Sequence, residues 1–113
     1  MVALEPGSIV AVRFPFSDLT GSKVRPAVVL AHVGRGDYLL CQVTSKPYGD
    51  EESILLEDGD FSVGSLRVRS HARAGKIFTA NILIVVKPIC KLKPDRFRSI
   101  VETIIRILRR QIL

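Results

Sequence analysis

Arg25-Pro26-Ala27-Val28-Val29-Leu30-Ala31 is the stretch on which the fold turns. Ala27 to Ala31 is a continuous apolar run, the pattern of a central strand covered on both faces. Just before it, Pro26 removes a backbone donor and biases Arg25 toward extended geometry. Upstream, Gly21-Ser22-Lys23 is a flexible, polar approach. The stretch reads as a loop that delivers Arg25 to the first position of a buried strand, at a rim. Its backbone is fixed there and its guanidinium reaches outward.

Short β-rich segments recur on either side of this run. Ser8 to Phe14 is bounded by Gly7 and Pro15. Phe16 to Lys23 reads as a loop, with Asp18, Gly21 and Ser22 supplying turn chemistry, and Gly34-Arg35-Gly36-Asp37 as a turn. Tyr38 to Val43 and Ser53 to Leu56 follow as strands. Leu66 to Arg69 alternates apolar with basic residues, and Lys76 to Thr79 and Ile82 to Val86 come next. Strands this closely spaced predict a small barrel, which also hides sheet edges. From Pro94 to about Gln111 the period changes. Phe97, Ile100, Val101, Ile104, Ile105, Leu108 and Ile112 repeat at three and four residues, one apolar stripe on a helix that packs on the barrel. Arg96, Arg98, Arg106 and Arg110 lie largely off it. Pro94 suits the first turn, Asp95 the positive end of the helix dipole, and Arg109 and Arg110 the negative end. The expected fold is mainly β (α+β), a single domain over 1–113: a small β-barrel closed by a C-terminal α-helix.

The chain has 113 residues, of which 47% are apolar. A chain this short buries a modest fraction of its surface, and association is a common remedy. Apolar runs such as Ile82 to Val86 are far too short to span a bilayer, so no membrane is expected. Met1 to Gly7 shows no basic region followed by a long apolar stretch, and the expected compartment is the cytoplasm. Cys41 and Cys90 sit inside apolar runs and read as two buried thiols without a disulfide. His32 and His71 are isolated, so neither a structural metal nor a cofactor is expected. The net charge is +6, unevenly spread. Residues 1–60 hold 5 basic and 9 acidic side chains, a net −4, while residues 61–113 hold 12 and 2, a net +10. A polyanionic partner is one reading of such a distribution. A solubilising face with a charged terminal helix is the other.

Two features carry candidate chemistry. The fork of donors on Arg25 suits a phosphate. Val43-Thr44-Ser45-Lys46 sets two hydroxyls and an ammonium at the end of an apolar strand, an ordinary strand-to-turn transition unless it lies beside Arg25. One short connection separates the two strands, so they could pair.

With these residues in view, the chain resembles the MazF/PemK-type toxins of toxin–antitoxin pairs. The resemblance rests on Gly7-Ser8-Ile9-Val10, on Phe14-Pro15-Phe16-Ser17-Asp18-Leu19-Thr20-Gly21-Ser22-Lys23, on Arg25-Pro26-Ala27-Val28-Val29-Leu30, on Val43-Thr44-Ser45 and on Lys76-Ile77-Phe78-Thr79 with the closing helix. It implies an SH3-like barrel of the CcdB/PemK type, a homodimer that cuts single-stranded RNA, mRNA above all, at short sequences and is held in check by a cognate antitoxin. It implies Arg25 and Thr44 as the catalytic pair; Ser45, Lys46, Lys23, Arg69, Arg73, Ser17 and Thr20 are the residues expected to bind substrate. Some members use an Arg and an acidic residue in the segment matching Arg69-Ser70-His71. Arg69 is present here, but His71 stands in place of the acid, so either His71 or another group transfers the proton.

The chemistry can be argued from RNA itself, which carries its own nucleophile in the 2′-hydroxyl. In-line attack on the adjacent phosphate needs a base, an acid and stabilisation of the phosphorane. With no metal-ligand cluster in the sequence, a metal-activated water is disfavoured. Arg25, always protonated, fits charge stabilisation rather than general base. Thr44 and Ser45 would hydrogen-bond the phosphate, and an imidazole at His71 is suited to proton transfer. The expected products are a 2′,3′-cyclic phosphate and a 5′-hydroxyl. Two alternatives remain at this point: a barrel that binds RNA or protein and cuts nothing, and a gyrase-poisoning toxin on the same fold.

Overall fold

The structure, a computed structural model, describes residues 4–15, 22–46 and 48–112. Seven antiparallel strands form one sheet: β1 (Ser8–Pro15), β2 (Ser22–Gly34), β3 (Asp37–Thr44), β4 (Ser53–Leu56), β5 (Phe61–Val63), β6 (Ser70–Asn81) and β7 (Val85–Leu92). Helix α1 spans Pro94–Arg109 and ends in a 3₁₀ turn, Arg110–Ile112. The order across the sheet is β4-β6-β3-β2-β1-β7-β5. Its two outermost strands, β4 and β5, are joined by only four residues, 57–60, most of them in the 3₁₀ turn Asp58–Asp60. At no more than ~3.5 Å per residue, such a link cannot span a flat sheet of seven strands roughly 5 Å apart. The sheet therefore curls until its ends approach, giving a half-open barrel.

The apolar run reads as expected. Val28 belongs to an inner core with Ile9, Cys41, Val43, Leu56, Ala72, Leu92 and Ile100. Ala27 and Val29 belong to a second cluster with Val10, Val12, Tyr38, Leu40 and Ala80. Alternate residues of the central strands thus feed separate clusters on the two faces. Phe14 and Phe78 pack on the second cluster with ring centroids 4.8 Å apart. The β2–β3 hairpin turns through Arg35 (φ 52°) and Gly36 (φ 80°), the two positive φ values of a type I′ turn. The positive φ at Gly36 is what favours glycine there. Cys41 and Cys90 are free and buried. Burial pushes the Cys41 thiol up to about 12.

Several expectations need correcting. Leu66 to Arg69 is not a strand but part of the loop from β5 to β6, and Phe61–Val63, too short to show a period, is one. Ile82–Ile84 forms a 3₁₀ turn capped by the Asn81 side chain, which accepts from Leu83 N, and the strand begins at Val85. Arg25 is not at the start of β2. The β1–β2 ladder extends outward past Val12↔Arg25 to Pro15↔Ser22, because β1 itself runs to Pro15. The β2–β3 ladder begins only at Ala27, the first residue after Pro26 and its missing donor. The helical stripe packs on the barrel through Phe97, Ile100 and Ile104, whereas Ile105, Leu108 and Ile112 near its end stay exposed. Arg106 and Arg110 tie that end to Glu52 instead. No helix among the described residues is long and apolar enough to cross a membrane.

Candidate active site

The register of the sheet draws three separated residues into a row. The β2–β3 ladder ends at Ala27↔Gln42, and two residues beyond it on each strand, on the same face, stand Arg25 and Thr44, which line one pocket. Thr44 in turn pairs with His71, and His71 with Leu55. Directly opposed residues share a face, and their Cβ atoms lie roughly 5 Å apart. Arg25, Thr44 and His71 therefore line up across β2, β3 and β6 on the face opposite the inner core.

A pocket of about 230 Å³ opens where these strands end. Arg25, Thr44, Ser45 and Lys46 line it, together with Leu66, Arg67 and Val68 of the β5–β6 loop and Ser70 at the start of β6. Thr44 is only 7% exposed, and its Oγ1 accepts a hydrogen bond from the Lys46 backbone N–H at 3.1 Å. That bond forms the tight turn that presents Ser45 and Lys46 to the pocket. Lys46 and Arg67 have no acidic partner among the described residues. A half-buried Arg25 with hydroxyls and two more cations around one cavity suits an anion with several oxygens.

The other candidates lie elsewhere. His71 neighbours Thr44 across the ladder but does not line the pocket. Arg69 points away to an exposed ion pair with Glu57, Nη2 to Oε2 2.9 Å. Lys23 sits further out on β2, opposite Phe14. Ser17 and Thr20 lie outside the described residues. Arg73 is committed to a local network. Its Nε and Nη2 donate to Asp50 at 2.5 and 3.1 Å, its Nη1 donates to Gln42 Oε1 at 3.0 Å, and its guanidinium carbon lies 4.4 Å from the centroid of the Tyr48 ring. The hydrogen bond from Arg73 holds the Asp50 carboxyl below the usual carboxylate range. Nothing in the sequence marks Ser70 or Tyr48 as site residues. The alternation of Leu66 to Arg69 suggested a strand, and nothing local showed that the loop folds over the ends of β2 and β3.

The charge asymmetry also has an internal use. Among the described residues, ion pairs join Glu5, Asp50, Glu52, Glu57 and Asp60 to Lys91, Arg73, Arg106, Arg110, Arg69 and Arg96. In each the acid comes from residues 1–60 and the base from 61–113.

No family model matches the chain, and no curated protein matches it. Solved structures do. An endoribonuclease in complex with its cognate antitoxin, from a mycobacterial species, is 13% identical with a TM-score of 0.71, covering 94% of this chain and 95% of its own. A chain of the MazE–MazF crystal structure from Deinococcus radiodurans is 19% identical with a TM-score of 0.73, covering 93% and 95%. The Mycobacterium tuberculosis toxin MazF-mt6 is 13% identical with a TM-score of 0.62, covering 84% and 91%. The chain has the fold of these structures over nearly its whole length.

Proposed function

We propose that this protein is a MazF-type endoribonuclease toxin that cuts single-stranded RNA at short sequences without a metal. The observation that carries the reading is the convergence of Arg25 and Thr44. They stand two residues beyond the last β2–β3 pair and line the same pocket, on the fold of known endoribonuclease toxins. In the reaction the ribose 2′-oxygen attacks the adjacent phosphorus and gives its proton to a base. The 5′-oxygen leaves with a proton from an acid, so the products are a 2′,3′-cyclic phosphate and a 5′-hydroxyl. Arg25 stabilises the charge that builds on the phosphorane, and Thr44 and Ser45 hydrogen-bond its oxygens. Lys46 and Arg67 draw the strand in. His71, beside Thr44, is the group suited to one of the proton transfers.

The structural neighbours described with an antitoxin support an antitoxin partner for this chain too. In this reading the protein works in the cytoplasm as a two-fold homodimer, whose basic groove takes RNA or an acidic antitoxin tail that folds on binding. The test is incubation of the purified protein with a long single-stranded RNA in EDTA, followed by end-group analysis. Discrete fragments with cyclic phosphate and 5′-hydroxyl ends are expected. Intact RNA would overturn the proposal and leave a binding-only barrel or a gyrase poison, which a supercoiling assay separates.

A further inference from the structure

An exposed tyrosine clamped by a fully organised arginine stands beside the Arg25–Thr44–His71 row. Tyr48 is 54% exposed although its ring lies against the Arg73 guanidinium. Arg73 is held rigidly: Asp50 takes two of its donors, Gln42 a third, and its backbone carbonyl accepts from the Cys41 thiol at 3.1 Å. With those edges occupied, the guanidinium is poorly placed to grip a phosphate with its fork. What it offers is its flat face, and Tyr48 covers it.

The position of this assembly gives it meaning. Gln42 precedes Thr44 by two residues on β3, and Arg73 follows His71 by two on β6, so all four share a face of the sheet. The Tyr48–Arg73 stack is anchored one row along from the candidate catalytic row, roughly 7 Å away, within reach of a single nucleotide. Proteins that take single-stranded RNA stack its unpaired bases on aromatic rings and guanidinium planes. We infer that Tyr48, backed by Arg73, is the platform on which the base next to the scissile phosphate stacks. The inference rests on the endoribonuclease reading and extends it to a residue that binds the base rather than the phosphate. Stacking tolerates any base, so the platform contributes affinity and alignment while leaving the choice of sequence to other contacts.

The chain contains no tryptophan, so Tyr48→Trp installs a single indole at the platform. Titration with short 2′-O-methyl RNAs, which lack the nucleophile, should quench its fluorescence saturably. Heparin, a polyanion without bases, should not. In cleavage assays Tyr48→Ala should raise KM roughly 5- to 150-fold with a smaller change in kcat, while Tyr48→Phe stays close to wild type. Tyr48→Leu separates stacking from mere cover, since leucine shields the Arg73–Asp50 pair but has no π face, and it should behave like Tyr48→Ala. Full activity of Tyr48→Leu, unchanged KM for Tyr48→Ala, or RNA binding without quenching would each overturn the platform while cleavage by the wild type stands. So would an effect of Tyr48→Ala on antitoxin binding alone, which would assign the ring to a protein interface. Saturable quenching of the Tyr48→Trp indole by RNA, with a wild type that cuts nothing, would keep the platform and remove the nuclease. A wild type that neither binds nor cuts RNA would remove both.

Discussion

If Arg25 and Thr44 act on one phosphate, removing both must cost less than the sum of removing each. Arg25→Ala deletes a preorganised donor at the developing phosphorane charge, a loss of about 3–4 kcal/mol or two to three decades in rate. Thr44→Val deletes one hydrogen bond to a charged group, about 2 kcal/mol or roughly thirtyfold. Since the two residues line the same pocket, their energies should couple. The double variant should fall short of additivity by about 0.5–3 kcal/mol, in the range found for residues sharing one network. Stability has to be separated from catalysis. The Thr44 hydroxyl accepts from the Lys46 amide at 3.1 Å, so Thr44→Val also loosens the turn by about 1 kcal/mol, or about 4 °C in Tm for a domain of this size. Thr44→Ser retains that bond and serves as the control. The assay is single-turnover cleavage of one end-labelled RNA, at a temperature where thermal melts show all four proteins folded. Wild-type rates for a folded Arg25→Ala protein would refute the assignment of Arg25. Strict additivity would place the two residues at different steps or sites.

His71 and Asp50 allow two further tests. His71→Ala should lower kcat by about two to four decades and remove one limb of its pH dependence; an unchanged profile would hand the proton transfer to another group. Asp50 is a carboxylate whose folded value lies below its ordinary one, chiefly through the hydrogen bond from Arg73. Its contribution to stability is therefore present at neutral pH and is lost as the pH falls below about 4 and through the lowered value. Urea midpoints should drop more steeply on acidification for the wild type than for Asp50→Asn. Parallel curves would show that the pair contributes nothing.

The strands that read clearly in the sequence are those with a continuous apolar run at their centre. Ala27 to Ala31 announced a strand buried on both faces because Val28 meets one cluster while Ala27 and Val29 meet the other. Phe61–Val63 could not announce itself, since three residues carry no period. Ile82–Ile84 looked like strand because apolarity was read without the capping side chain of Asn81, which turns the chain there. The helix was legible through Pro94, Asp95 and its period, but a period does not say how much of a stripe finds a partner, and its last apolar residues are left exposed.

The site was legible in its residue types and hidden in its geometry. Thr44 and His71 are far apart in the chain and become neighbours only through the β3–β6 register. Arg69 and Arg73 looked alike as basic residues near His71, yet they differ in role. β6 begins at Ser70, which leaves Arg69 in a loop beside Glu57 and places Arg73 on the strand within reach of Gln42 and Asp50. The same pairing tempers the charge argument. The net +10 of residues 61–113 invites a polyanion, but among the described residues six of those twelve bases bond to acids of the first half. Around the candidate pocket the basic side chains are Arg25, Lys46 and Arg67, beside a buried threonine. Electrostatic steering of RNA should therefore depend on these few positions more than on total charge, and neutralising Lys46 and Arg67 should weaken RNA binding more than neutralising Arg106 and Arg110, which bond to Glu52.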